Sequence, residues 1–145
     1  MASKTAHGFL AVGFLCISKL DCGLTYFVGA LAGGLLPDFD LMWGHRKLLH
    51  TVLIPIALAV VGVLGVVSDP GFAYALALGW VSHLLSDGVT KRGVAFLWPF
   101  NHKFYHLTPR WLRPKSSSHL YNGFLVLVSI GMTVWRLGLH NLFQL

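Results

Sequence analysis

Residues 51–68, TVLIPIALAVVGVLGVVS, and residues 70–86, PGFAYALALGWVSHLLS, are separated only by Asp69, and neither run contains a Lys, Arg, Asp or Glu. A helix that crosses a bilayer needs about 17 to 25 mostly apolar residues, and both runs have that length. Working outward, residues 116–135 form a third charge-free stretch that is long enough, whereas 5–18 and 22–37 are shorter and must recruit flanking residues or tilt together as a pair. The expectation is an all-α integral membrane protein, a compact bundle of five transmembrane helices (four as the lower count), forming a single domain over residues 1–145. Residues 94–100, VAFLWPF, are too short to span and read as a re-entrant or interfacial segment.

Composition agrees. Of 145 residues, 55% are hydrophobic and 11% charged, against about a quarter charged in soluble globular proteins. So little charge also excludes a disordered chain. Eleven Lys and Arg face five acids, all Asp, for a net charge of +6. A nucleic-acid partner is not expected, because the cations lie between apolar runs rather than on a soluble basic face; anionic membrane lipid is the simpler counter-charge. Cys16 and Cys22 have neither CxxC nor finger spacing and read as packing residues. No A-x-A-like site follows the first apolar run, so it is expected to stay in the mature protein.

Against five spans, nine of the eleven cations fall on one side: Lys4, Arg46, Lys47, Lys91, Arg92, Lys103, Arg110, Arg113 and Lys115. The positive-inside rule makes that side cytoplasmic, N-terminus included. The same side collects His7, Asp38, Asp40, His45, His50, His83 and Asp87, seven residues of metal-ligating type. His83 and Asp87 stand four apart on a helix, so their side chains share a face. In LPDFD (36–40), Pro37 disfavours helix at Leu36 and leaves Asp38 and Asp40 in an irregular turn. In HRKLLHT (45–51), two imidazoles bracket a dibasic pair, bringing nitrogen ligands and phosphate-seeking cations together.

These motifs in this order, an early His7, then GGLLPDFD (33–40), HRKLLHT and GWVSHLLSDGVTKRGVAFLWPF (79–100), closely resemble the YdjM-like, LexA-regulated membrane-bound metal-dependent hydrolases. The resemblance covers residues 7 to 100. It implies a small multi-pass protein of the bacterial inner membrane, a divalent-metal centre, a remote likeness to zinc-dependent phospholipase C, and metal-site roles for the seven residues named above. The position after His50, often Ser in that family, is Thr51 here, which keeps the hydroxyl. Beyond Phe100 the match fades, leaving His102, His106 and His119 without assigned roles.

Imidazole and carboxylate donors without thiolates favour Zn, with Mn or Fe as alternatives, in one or two ions. Metal-activated water attacking a phosphoester or ester is the expected chemistry. With no Glu in the chain, Asp40 is the candidate general base, Arg46 the partner of a substrate phosphate, and Lys91 and Arg92 the grip on an anionic headgroup. Trp43, Trp98, Phe100 and Trp111 would sit at headgroup level, so the expected substrate is a phospholipid or lipid-linked phosphate reached from the cytoplasmic face. Oligomeric state is left open. Two other classes use the same residues. A proton or ion transporter would need polar residues through both halves of the spans, and few are present; a noncatalytic assembly factor would use the ligands as a staple between helix ends.

Overall fold

The computed structural model describes residues 4–18, 23–43 and 47–139. Five α-helices, α1 (Lys4–Ile17), α2 (Leu24–Leu35), α3 (Leu53–Val63), α4 (Pro70–Val89) and α5 (His119–Val134), carry the fold, with a 3-10 helix at Leu36–Trp43 and a π-helical extension of α5 at Trp135–Leu139. α4 is the hub. It packs on α1, α2 and α3, and α1 in turn packs on α5.

Local chemistry sets the ends of α4. Asp69 caps its start, with Oδ1 accepting from the backbone N–H of Gly71 at 2.9 Å and Phe72 at 3.4 Å, and Pro70 occupies the first turn, where no N–H is needed. At the other end the Thr90 hydroxyl donates to the Asp87 carbonyl at 2.8 Å.

The α2–α4 contact is a backbone contact. A Cβ on Gly33 would collide with the Leu76 carbonyl oxygen, and one on Gly79 with the Ala30 carbonyl oxygen. Glycine at both positions therefore lets the two main chains touch, a packing mode that small residues permit.

The expected bundle of five membrane spans, or four, is not what forms. Among the described residues one helix is long and apolar enough to cross a bilayer, His119–Gly138, α5 with its extension. Helices α1, α2 and α3 have 14, 12 and 11 residues, and at about 1.5 Å per residue each falls well short of a hydrocarbon core of about 30 Å. α4 has 20 residues, but Ser82, His83, Ser86 and Asp87 break its apolar run. α3 is short because its charge-free run leaves the helix at both ends: Thr51 and Val52 precede the helix, and Gly65 turns at φ 63° after it.

The expected re-entrant or interfacial segment, residues 94–100, is a loop clamped onto the start of α3. Val94 and Tyr105 exchange backbone hydrogen bonds at 3.0 and 2.8 Å, and Val52 N–H donates to the Phe96 carbonyl at 3.0 Å. The Thr51 hydroxyl lies between the carbonyls of Phe96 and Trp98, at 3.0 and 2.9 Å, with its one proton shared between these two acceptors. That is the use of the hydroxyl the sequence retains there. Leu36 also departs from expectation: it keeps helical dihedrals despite Pro37, and the chain tightens into the 3-10 helix instead of an irregular turn.

Burial combines apolar clusters with many buried polar side chains. His, Asp and Ser side chains fill much of the interior, while Leu24 is 79%, Val63 73% and Leu120 88% exposed. Large exposed apolar surface of this kind marks contact with a partner or a membrane.

Candidate metal centre

Four elements deliver the site. His7 comes from the end of the first turn of α1, Asp38 and Asp40 from the 3-10 helix, His50 from the segment before α3, and His83 and Asp87 from successive turns of α4. All six residues are buried. His45 and Arg46 lie outside the described residues.

Hydrogen bonds fix which nitrogen faces inward for His83 and His7. His83 Nδ1 donates to the Gly34 carbonyl at 2.8 Å, which leaves Nε2 with its lone pair in the site. The Ser86 hydroxyl donates to the His83 carbonyl at 2.9 Å and therefore receives from His7 Nδ1 at 2.8 Å, turning His7 Nε2 toward Asp87 Oδ1 at 3.7 Å. His50 Nδ1 faces Asp40 Oδ2 at 3.5 Å, while its Nε2 lies 3.5 Å from Asp87 Oδ2 and 3.4 Å from His83 Nε2. Asp38 Oδ1 and Asp87 Oδ2 sit 3.9 and 3.8 Å from His83 Nε2. Metal-ligating histidines typically hold their second nitrogen on a carbonyl or carboxylate in this way.

Each partner is held in turn. The absence of a Cβ at Gly33 and Gly79 brings the Gly34 carbonyl to His83. Trp80 Nε1 donates to the Leu49 carbonyl at 2.9 Å, tying the His50 segment to α4. Asp40 Oδ2 accepts from the backbone N–H of Lys47 at 2.8 Å and Leu49 at 3.1 Å. The Tyr121 hydroxyl donates to the Ser86 carbonyl at 2.5 Å, docking the first turn of α5 beside the site. Burial pushes the His83 imidazole below its ordinary pKa, and the facing His50 acts the same way, against the opposing pull of the Asp87 and Asp38 carboxylates.

Two triads meet the spatial requirement for a metal: His7, His83 and Asp87, and Asp38, His50 and His83, with ligand atoms within 4.8 Å of one another in each. The donor set is imidazole and carboxylate, it is buried, and the outer nitrogens of His7 and His83 are already engaged, so it fits a divalent cation. Of the residues expected from the sequence, His7, Asp38, His50, His83 and Asp87 converge. Asp40 stands behind His50 instead of among the inward-facing atoms. Lys91 and Arg92 are exposed on the chain after α4, outside the buried cluster. Ser86 and the Gly34 carbonyl were not foreseen. Ser86 sits three residues after His83 on the same helix, a spacing that could have marked it; a backbone carbonyl carries no such signal.

A helical protein with an apolar exterior, one helix fit to cross a bilayer and a buried His/Asp cluster is the class that fold and site define. The family model described as YdjM inner membrane protein matches residues 1–141, and the chain belongs to that family. It is an inner membrane protein. No curated protein and no solved structure matches the chain.

Proposed function

We propose that the protein is a metal-dependent hydrolase acting on a phosphoester or ester of a membrane lipid or lipid-linked substrate at the cytoplasmic face. The observation that carries this reading is the approach of His50 Nε2 and His83 Nε2 to 3.4 Å, with Asp87 and Asp38 beside them. Two imidazole nitrogens this close, with carboxylates beside them, can share one cation. His7, His50, His83, Asp38 and Asp87 would hold the ion, Zn before Mn or Fe. Bound there, a divalent metal supplies a water acidified toward neutral pH and a Lewis acid for the attacked centre. Asp40 holds His50 in register, and Ser86 does the same for His7. With Asp40 so engaged, Asp38 or Asp87 is the better placed carboxylate to take a proton.

An apolar groove of about 560 Å³ between α3 and α4 supports an amphiphilic substrate; Ile56, Tyr74, Val81, Leu84 and Phe96 are among its walls, and Leu84 is the chain neighbour of His83. The orientation is supported by charge. Six cations lie between α4 and α5 and only Arg136 near the far end of α5, an asymmetry that supports a cytoplasmic start for α5.

A second reading, a noncatalytic metal staple, is favoured by the near-complete burial of the ligands, since saturated closed sites are structural ones. One experiment addresses both. Detergent-purified protein is assayed for metal by elemental analysis beside His83→Ala and Asp87→Ala at matched folding yield. Tightly bound metal in the native chain and its loss in both variants is expected, followed by metal-dependent hydrolysis in a phospholipid screen. Bound metal without hydrolysis would favour the staple, and no metal after reconstitution with Zn or Mn would sink the metal centre altogether.

A further inference from the structure

A second polar feature lies apart from the His/Asp centre. Lys91, Arg110 and Arg113 line a cleft of about 320 Å³ between the chain leaving α4 and the chain entering α5. Its walls are stitched together by main-chain and side-chain bonds. Leu107 N–H donates to the Gly88 carbonyl at 2.9 Å, the Thr108 hydroxyl to the Val89 carbonyl at 2.9 Å, and Lys91 N–H to the Pro114 carbonyl at 3.0 Å. Arg113 Nε donates to the Thr108 carbonyl at 2.9 Å, which anchors its guanidinium and leaves the terminal nitrogens for a ligand.

Nothing nearby in the chain neutralises these cations: after Asp87 the sequence contains no Asp or Glu. Three cations held around one cleft repel each other unless an anion joins them, and two of them are arginines, whose planar forks match phosphate. Trp111 and Leu112, chain neighbours of Arg110 and Arg113, are 82% and 52% exposed, and Leu107, bonded to the Gly88 carbonyl, is exposed as well. Residues 116–118 then lead directly into α5, the helix fit to span. Aromatic residues and cations at the mouth of a span belong to the headgroup layer.

We propose that the Lys91–Arg110–Arg113 cleft binds the phosphate of an anionic phospholipid headgroup, as a site distinct from the metal centre. The proposal does not depend on the hydrolase reading, because none of the three residues belongs to the buried cluster.

Native mass spectrometry of the detergent-purified full chain tests it, with phosphatidylglycerol and phosphatidylcholine of identical acyl chains as probes. One phosphatidylglycerol is expected to be retained in preference to phosphatidylcholine. The Arg110→Gln/Arg113→Gln double variant should weaken it at least about tenfold, while the Lys103→Gln/Lys115→Gln double variant, an equal charge change at residues that do not line the cleft, stays within about twofold of the native chain. Should the arginine double variant not fold, Lys91→Gln carries the same comparison. Equal retention of both lipids, or an equal loss in the Lys103→Gln/Lys115→Gln variant, would overturn the site in favour of diffuse attraction. Displacement of the lipid by millimolar inorganic phosphate would overturn the lipid assignment and mark a site for the free anion.

Discussion

Ser86 is the residue on which the inner arrangement turns, since one hydroxyl sets the His7 tautomer and is anchored to the carbonyl of His83. Outer partners of this kind are typically worth about 10- to 100-fold in metal affinity. Ser86→Ala is therefore expected to weaken metal binding by that order with little change in secondary structure, measured by competition with a chromophoric chelator. Unchanged affinity would mean that His7 is no ligand. The site was largely legible at this scale. His7, Asp38, His50, His83 and Asp87 are buried polar residues in an apolar chain, and such groups are expensive enough to be paired or functional. What escaped was the direction each group faces. Asp40 looked equivalent to Asp38 in LPDFD, yet the N–H groups of Lys47 and Leu49 claim its Oδ2 and place it behind His50.

At the scale of elements, the site depends on α2 and α4 meeting backbone to backbone. Gly33→Ala and Gly79→Ala would each push a methyl group into a carbonyl oxygen of the facing helix, and overpacking of this kind costs about 1–3 kcal/mol. Both are expected to lower the melting temperature in detergent and to lose metal, because separation of the helices takes the Gly34 carbonyl away from His83. Gly123→Ala on α5 is the contrast. Nothing lies within 4 Å of its Cβ position, so the gain in helix propensity, up to about 1 kcal/mol, should leave stability equal or higher with metal retained. Parallel melting curves and elemental analysis decide it, and a Gly79→Ala protein as stable as the native chain would refute the backbone contact. The sequence foretold helices but mismeasured them. A charge-free run records where charges stop, whereas a helix ends on backbone geometry: Gly65 adopts φ 63° inside one run, and α2 gives way to a 3-10 helix before the next charged residue. The runs therefore looked like spans that the helices do not fill.

For the whole molecule the question is which side of the membrane meets the metal centre. α5 is the helix suited to cross; its first turn touches the site through Tyr121 and Ser86, and six cations precede it while Arg136 alone lies near its other end. On the proposed reading, the positive-inside rule orders the layers with the cations and the His/Asp cluster on the cytoplasmic side and the end of α5 beyond the bilayer. In a background with Cys16 and Cys22 replaced by Ala, Ser117→Cys should resist a membrane-impermeant thiol reagent in intact cells and react after permeabilisation, whereas Gly138→Cys should react in both. The reverse pattern would place the centre on the periplasmic side, and a lipid substrate would have to be sought in the outer leaflet. Protection of both positions until permeabilisation would mean that α5 does not cross, leaving its exposed apolar face to be covered by another part of the membrane assembly. Because the cations act through a sum over the loop, replacing one of them should not change the pattern, while reversing several between Lys91 and Lys115 should, which separates a topology set by charge from one set by packing against α1.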